Sequence, residues 1–388
     1  MNSVERHEAR YQRRRARRLK RKSEYDSGCV TTEDVFTYDN LYASYKKCLR
    51  GVNWKYSVQS YQADAPILVY QSYREIAEDR LVIRPGSRFI LYERGKLRKI
   101  RGVNIKERVI QKCLSDHCLK RVLGRSLIYD NHASRAGKGT RKARERLQCH
   151  LERQIRRHGP NSYALVFDFS GFFDSFDHDL VRQYLLDTVG DPRIVDLTMK
   201  FVNSSDIGRG LELGSEVNQD LAISVSSTID HFVKEILQIH NYGRYMDDGY
   251  MLHESKEYLE QCLVRFKKFV ESLGFKLNTK KTRIISLTKD GFQFLKTKYR
   301  VTQTGKIIKR CVHSSVVRMR RKLKKLRIKL TEGKLKFLSI YSAFQSWKSS
   351  ISHCNCYVTV QSMTRLFLRL YHNECTEAGF INKLRRCL

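Results

Sequence analysis

The sequence predicts an α+β fold, on three observations. Residues 87–103 alternate in the manner of a β-hairpin, with its turn at Arg94-Gly95-Lys96. Tyr163-Ala164-Leu165-Val166-Phe167-Asp168-Phe169 is a short apolar strand ending in a carboxylate. Around these segments, apolar residues recur at helical spacing in several long runs.

Residues 1–22 carry ten Lys and Arg against Glu5 and Glu8, and read as a basic arm or exposed helix. Eight of those cations, Arg13, Arg14, Arg15, Arg17, Arg18, Lys20, Arg21 and Lys22, follow one another with no acid among them, which favours phosphate binding over a merely solvated tail. A helix follows over Leu41 to Leu49, capped by Asp39 or Asn40 and ended by Gly51. A second covers about Ala65 to Leu81, with Pro66 in its first turn. After the hairpin, Ile105 to Leu123 is helical. Beyond the strand at 163–169, a helix covers Asp220 to Leu237, and a hairpin then carries Tyr245-Met246-Asp247-Asp248. Tyr258 to Leu273 is helical and Gly274 terminates it. Residues 306–329 hold eleven Lys and Arg and no acid. Val316, Val317, Met319, Leu323, Leu326, Ile328 and Leu330 fall among and just beyond them at roughly helical spacing, which predicts a helix with an apolar stripe and a basic face suited to a nucleic-acid backbone. Phe337 to Tyr371 again reads as helical.

Bulk composition points the same way. The chain has 75 Lys and Arg against 40 Asp and Glu, a net charge of +35 that favours a polyanionic partner. At 41% hydrophobic residues it can build a real core, and with 4 prolines in 388 residues two or three subdomains in one continuous body are expected. The sequence opens without an apolar leader, and no stretch is long and apolar enough to span a membrane, so a cytoplasmic protein is expected. The 11 cysteines form no C-x-x-C pair and read as reduced packing residues. His353, Cys354 and Cys356, with His372 and Cys375, imitate a zinc site but match no zinc spacing.

Tyr245-Met246-Asp247-Asp248 is the most informative stretch. Adjacent aspartates repel each other, and placing them at a tight turn makes sense if a divalent cation neutralises them. Asp168, at the end of an apolar strand, would be costly to bury without such a partner. Carboxylates from two separate segments, Asp168 and Asp247, can meet around cations, with Asp248 as an auxiliary ligand.

The order of the surrounding blocks resembles that of bacterial reverse transcriptases. Asp168 to His178 looks like their first catalytic block, Leu211 to Gln219 is similar to their Gly-x-x-x-Ser-Gln block, and Tyr245 to Asp248 looks like their catalytic hairpin. Leu277-Asn278-Thr279-Lys280-Lys281-Thr282 resembles the following Leu-Asn-x-x-Lys-Thr block, and Gly291 to Leu295 the primer grip. Upstream, Arg98 with Arg108 to Gln111 is similar to the fingers, and His132 to Thr140 resembles a block seen in diversity-generating and related bacterial enzymes.

The resemblance implies a right-hand polymerase with a basic arm (1–30), fingers (31–160), palm (161–300) and a helical basic thumb (301–388). It implies two Mg²⁺ ions at Asp168, Asp247 and Asp248, set about 3.5–4 Å apart for nucleotidyl transfer. Arg98, and less surely Lys96 or Arg101, would grip the triphosphate. Phe173 would exclude a ribose 2′-hydroxyl and so select dNTPs. Gln219 would hold template and nucleotide, and Lys281 would meet the leaving pyrophosphate as an acid or a phosphate contact. Arg13, Arg14, Arg15, Arg17 and Arg18 in the arm, and Arg320, Arg321, Lys324 and Lys325 in the thumb, would bind a structured non-coding RNA that is copied into cDNA. The expected partners are that RNA, its cDNA and dNTPs, without a membrane, and the oligomeric state is unspecified.

Two departures bear on the subfamily. Asn218-Gln219 stands where the family has Ser-Gln, and Arg98-Lys99-Ile100-Arg101 where group II intron enzymes have Arg-Pro-Leu-Gly. With little sequence beyond the thumb region, no RNase H or endonuclease is expected. Glu216, Asn218 and the basic arm look more like the defence-associated enzymes than the diversity-generating ones, and no retron-type Val-Thr-Gly is found in the thumb. A non-catalytic RNA-binding protein on a polymerase scaffold would have lost a carboxylate or a triphosphate cation, and both are present.

Overall fold

The structure is a computed structural model that describes residues 3–26, 30–83, 86–93, 96–203, 208–377 and 379–380; within these, the side chains of 3, 4, 7, 18, 21–26, 93 and 96 lie outside the description. The turn expected at Arg94-Gly95-Lys96 therefore falls largely outside the described residues, as do the side chains of Arg18 and Lys96. The chain divides into two compact units: Met1–Arg146, Phe167–Met251 and Glu260–Arg283 form the first, and Leu147–Val166, Leu252–Leu259 and Ile284–Leu388 the second.

The first unit opens with the helix Ser3–Asp26, whose Tyr11 is 4% exposed while Arg10, Arg13, Arg14, Arg15 and Arg17 face solvent. The expected arm is thus a docked amphipathic helix, anchored by one aromatic. Helices Tyr38–Cys48, Tyr56–Ala63, Ala65–Ala77 and Ile105–Leu114 follow and pack together, with Leu41, Val69, Val109 and Ile110 in the core. The last of these runs on through a wider turn at Ser115–Leu119 to Leu123, so the long helix expected over 105–123 is one continuous element. Two expected boundaries move. Thr37, not Asp39 or Asn40, caps the first helix, its hydroxyl accepting from the Asn40 N–H at 3.1 Å. The second stops at Ala77 instead of Leu81, with Pro66 in its first turn as expected.

The hairpin Ser87–Glu93 with Lys96–Gly102 forms its own two-stranded sheet, with Leu91 opposite Arg98. The main sheet of this unit runs in the order Tyr242–Tyr245, 248–251, 167–170, Lys276–Leu277. Tyr245 pairs with Asp248 and Arg244 with Gly249 in an antiparallel hairpin, and Phe169 pairs with Leu277. Helices cover it through Phe167, Phe169, Phe172, Phe176, Phe266 and Phe275, an aromatic cluster with ring centroids 4.9–5.7 Å apart along its chain of contacts. The helix expected from Asp220 begins earlier, at Glu216, because Ser215 caps it through the Asn218 N–H at 3.2 Å.

The second unit contains a three-stranded sheet in the order Ile307–Cys311, Thr297–Val301, Phe292–Phe294. Its helices His313–Thr331, Phe337–Ile351 and Tyr357–Leu370 share a core of Val316, Met319, Leu323, Ile340, Phe344, Met363, Phe367 and Tyr371. Here the basic stretch 306–329 is strand first and helix after, and the run Phe337 to Tyr371 is two helices separated by residues 352–356. Among the described residues no helix is long and apolar enough to cross a membrane.

Gly249 shows how tightly the hairpin seats on the strand beside it. A Cβ there would lie 2.2 Å from the Phe167 ring, where only the bare backbone fits. Gly249→Ala should therefore cost about 1–3 kcal/mol by overpacking, read as a lowered denaturation midpoint; a midpoint equal to that of the parent would contradict this packing.

Candidate active site

The Asp247–Asp248 turn is built from behind by buried charge. Arg244, on the strand leading into it, and Asp230, on the helix Ser227–His231, are both 0% exposed. Arg244 donates from Nε to Asp230 Oδ1 at 2.7 Å and from Nη2 to Asp230 Oδ2 at 2.8 Å. Its Nη1 reaches forward to the Met246 carbonyl at 3.0 Å. Tyr242 and Asn131 complete the shell around Asp230, at 2.6 and 3.2 Å. Burial opposes the charge on Arg244, but the Asp230 carboxylate more than offsets this and holds the guanidinium above its ordinary range. Met246 has φ +54°, a left-handed conformation unusual for a side-chain-bearing residue, and the Arg244 bond to its carbonyl closes that turn.

A backbone bond sets this turn beside Asp168. The Phe169 N–H donates to the Asp247 carbonyl at 3.0 Å. On the other side, the Asp168 carbonyl accepts from the Asn278 N–H at 2.8 Å. Asn278 then folds its side chain onto the N–H groups of Lys280 and Lys281, at 3.1 and 3.3 Å. That Asn turn aims Lys281, whose Nζ meets Asp168 Oδ2 at 2.6 Å. The Asp168 side chain is 13% exposed and Lys281 49%. The Asn278…Lys281 spacing thus has a local reason: the amide makes the turn, and the turn delivers the cation.

The expected site residues divide into groups. Asp168, Asp247, Asp248 and Lys281 come together on adjacent strands and turns. Gln219 lines a polar pocket with Arg108, Gln111, Lys120, Ser134, Gly214, Glu216 and Asp220, and its Oε1 lies 3.5 Å from the Ser134 hydroxyl. Glu216, the first residue of the helix that Ser215 caps, binds Lys120 at 2.5 Å and Lys112 at 2.9 Å. Phe173 is half-buried, edge-on to core Phe172 at 5.5 Å, and its carbonyl accepts from the Leu211 N–H at 2.8 Å. Arg98 stands exposed on the separate hairpin. Arg101 is not available as a triphosphate grip: it is 3% exposed and bound to Glu107 at 2.6 and 3.1 Å. In the second unit Arg320, Arg321 and Lys324 line a groove with Arg365 and Arg369, while Lys325 is exposed outside its lining.

Among the described residues no group of three or more His, Cys, Asp or Glu side chains is placed to hold a metal ion. The donors at this turn are nonetheless of the right kind for a hard divalent cation. Asp168 and Asp247 offer oxygen only, from neighbouring strands, and Asp168 already holds a positive charge in the Lys281 ammonium.

Sequence reasoning missed Arg244, Asp230, Arg365 and Arg369. Arg365 and Arg369 did leave a signal, two cations four residues apart on an otherwise uncharged helix. Asp230 lies fourteen residues from Arg244 and left none.

Asp220, in the Gln219 pocket, generates a pH prediction. Burial pushes its carboxyl up to about 7, against the opposing pull of its Ser115 hydroxyl donor and of Lys120 and Lys112, with Glu216 adding to the rise. The folded chain therefore binds a proton that the unfolded chain has released, and stability drains away as pH rises from the usual carboxylate range to about 7. Asp220→Asn should gain in thermal midpoint relative to the parent on going from pH 5 to pH 8; a constant difference would refute the shift.

Comparison with known proteins places these features in context. A family model described as reverse transcriptase (RNA-dependent DNA polymerase) matches residues 90–353, more than half of the chain. No curated protein sequence matches. Among solved structures, telomerase from Candida albicans in complex with a TWJ fragment of telomeric RNA is similar at 13% identity and TM-score 0.47, over 83% of this chain and 64% of that one. Apo telomerase from Candida tropicalis is similar at 13% identity and TM-score 0.45, over 82% and 64%. Its form truncated from the C-terminal domain gives 13% and 0.46, over 59% and 56%. The chain spans 56–64% of the length of these telomerase chains.

Proposed function

The chain belongs to the reverse transcriptase family, and from that premise we propose that it is an RNA-directed DNA polymerase copying a cognate structured non-coding RNA into cDNA. The observation that carries this reading is the backbone bond from Phe169 to Asp247, which sets the Asp247–Asp248 turn against the strand of Asp168. In this proposal Asp168 and Asp247, with Asp248 as auxiliary, hold two Mg²⁺ ions. Bound there, the ions would neutralise charge on the attacking and leaving oxygens of nucleotidyl transfer.

The chain's own residues then have separate tasks. Lys281 is exposed enough to leave Asp168 and meet the pyrophosphate. Phe173, fixed through its carbonyl to Leu211, presents its half-buried ring to the sugar and favours dNTPs. Gln219 positions template and nucleotide, and Arg98 and Lys96 on the hairpin approach the triphosphate. The division into arm (1–30), fingers (31–160), palm (161–300) and thumb (301–388) belongs to the same proposal, as does a cytoplasmic location.

We assign the RNA to the exposed cations of the helix Ser3–Asp26 and to Arg320, Arg321, Lys324 and Lys325. Glu216 and Asn218 favour a defence-associated enzyme. The His132 to Thr140 block favours the second reading, a diversity-generating enzyme. Sequencing the RNA and cDNA that co-purify from the native host separates them. A repeated cDNA from one neighbouring non-coding RNA supports defence; adenine-directed errors in a template repeat support diversification.

Asp247→Asn should reduce dNTP incorporation by about a thousandfold or more while RNA binding in a filter assay stays unchanged. Synthesis at the parental rate would end the polymerase assignment. The helix assignment has its own test. Replacing exposed Arg13, Arg14 and Arg17 by Gln preserves the Tyr11 anchor and should flatten the slope of log affinity for single-stranded RNA against log salt by about 2, at ~0.7 per phosphate contact. An unchanged slope would remove this helix from the RNA-binding surface.

A further inference from the structure

The turn between helices Tyr38–Cys48 and Tyr56–Ala63 presents Trp54-Lys55-Tyr56 to solvent. Trp54 is 75% exposed and Tyr56 84%. Two large rings, two residues apart in the chain and both left in water, forgo a substantial apolar gain, which a partner would recover. Among the described residues neither ring packs against another aromatic ring.

The turn is firmly built. Gly51 reverses the chain at φ +75°, the Val52 N–H donates to the Leu49 carbonyl at 3.2 Å, and the Lys55 N–H to the Val52 carbonyl at 2.9 Å. The Trp54 Nε1–H donates to the Gly51 carbonyl at 3.3 Å, which orients the indole. Just beyond, Val58 and Tyr61 are buried, and Tyr61 lies 5.8 Å from core Tyr45. Both rings therefore stand on a fixed backbone, and the indole, already held, loses little freedom on binding.

The charge around them is of one sign. Residues 46–56 hold Lys46, Lys47, Arg50 and Lys55 and no acid. Lys47 is spent on Asp116 at 2.8 Å. Among the described residues Arg50 and Lys55 have no carboxylate partner, and Lys55 Nζ lies 5.6 Å from the Trp54 ring centroid. Exposed rings beside uncompensated cations match what single-stranded nucleic acid offers, flat bases to stack and phosphates to neutralise. A protein surface would have to bring matching carboxylates to the same spot; a sugar–phosphate chain supplies an anion with every base.

We propose that Trp54, Lys55 and Tyr56, with Arg50, form a binding site for unpaired nucleotides of RNA, their bases stacked on the two rings. This rests on the reading of the chain as an RNA-binding polymerase and adds a site to it.

The chain carries its own reporter. It has two tryptophans, and the second, Trp347, is half-buried with its Nε1–H on Ser315 Oγ at 3.2 Å. In the Trp347→Phe protein, excited selectively at the indole band, the tryptophan emission comes from Trp54 alone. Titration with single-stranded oligouridylate should quench it, and fully paired RNA of equal length should not. The double variant Trp54→Ala, Tyr56→Ala should bind the single strand about tenfold or more weakly, with an unchanged thermal midpoint because both rings are exposed. Unaltered Trp54 emission at saturating oligomer, with binding verified on filters, would overturn the site, and so would an unchanged affinity of the double variant. Failure of the parent to bind any RNA would overturn the RNA reading first and this site with it. A self-association abolished by the double variant at undiminished RNA affinity would assign the rings to a protein contact instead.

Discussion

Arg244 and Asp230 are fully buried charges that exist only because each has the other. Removing two ions from water costs several kcal/mol apiece, and the attraction between them repays it only when geometry and extra hydrogen bonds are complete. Here they are: Asp230 also receives Tyr242 and Asn131, and Arg244 also reaches the carbonyls of Ser226 and Met246. Losing one partner of such a pair costs about 3–5 kcal/mol, so the arrangement is stiff. Its consequence lies at the surface. The same guanidinium that neutralises Asp230 holds Met246 in its left-handed turn, and the position of Asp247 follows.

Asp168 is compensated differently. Its partner is the half-exposed Lys281, a compact ammonium on a flexible stem, where Asp230 has the planar fork of an arginine. An arginine in a sealed pocket cannot leave without stranding a carboxylate. A lysine at the rim can, because water is at hand to solvate both ends. The structure thus separates a permanent charge pair, which fixes the shape of the turn, from an exchangeable one at the carboxylate of the neighbouring strand.

This separation explains what the sequence disclosed. The strand at 163–169 and the Asp247–Asp248 hairpin were legible because each is written in adjacent residues: an apolar run and a paired carboxylate. Lys281 was marked only by the resemblance of its block, and the Asn278 turn that aims it emerges from the structure. Boundaries were less legible. Thr37, Asp39 and Asn40 are all acceptable caps, and only the chain direction entering the helix selects Thr37. The strand Ile307–Cys311 was hidden by its neighbours' charge, since a basic run reads as helix surface until its pairing with Thr297–Val301 is known. Arg101 stood, less surely than Arg98, as a triphosphate cation, but Glu107 on the helix that follows the hairpin takes it inside. The Arg244 pair was illegible: nothing near Arg244 in the sequence announces Asp230.

The remaining question is how a chain of net charge +35 stays folded. Within the first unit the acids are mostly spent in pairs: Asp116 serves Lys47, Lys112 and Lys120, and Asp130 serves Arg146 and Lys234. Much of the positive charge left over sits outside, in part along the helix Ser3–Asp26 and around Trp54. In the second unit the helix His313–Thr331 is dense in cations, and Arg365 and Arg369 line a groove with its Arg320, Arg321 and Lys324. Exposed like charges repel only weakly in salt water, so the fold tolerates them at modest cost. A polyanion lying along them would relieve, phosphate by phosphate, the repulsion the fold leaves in place.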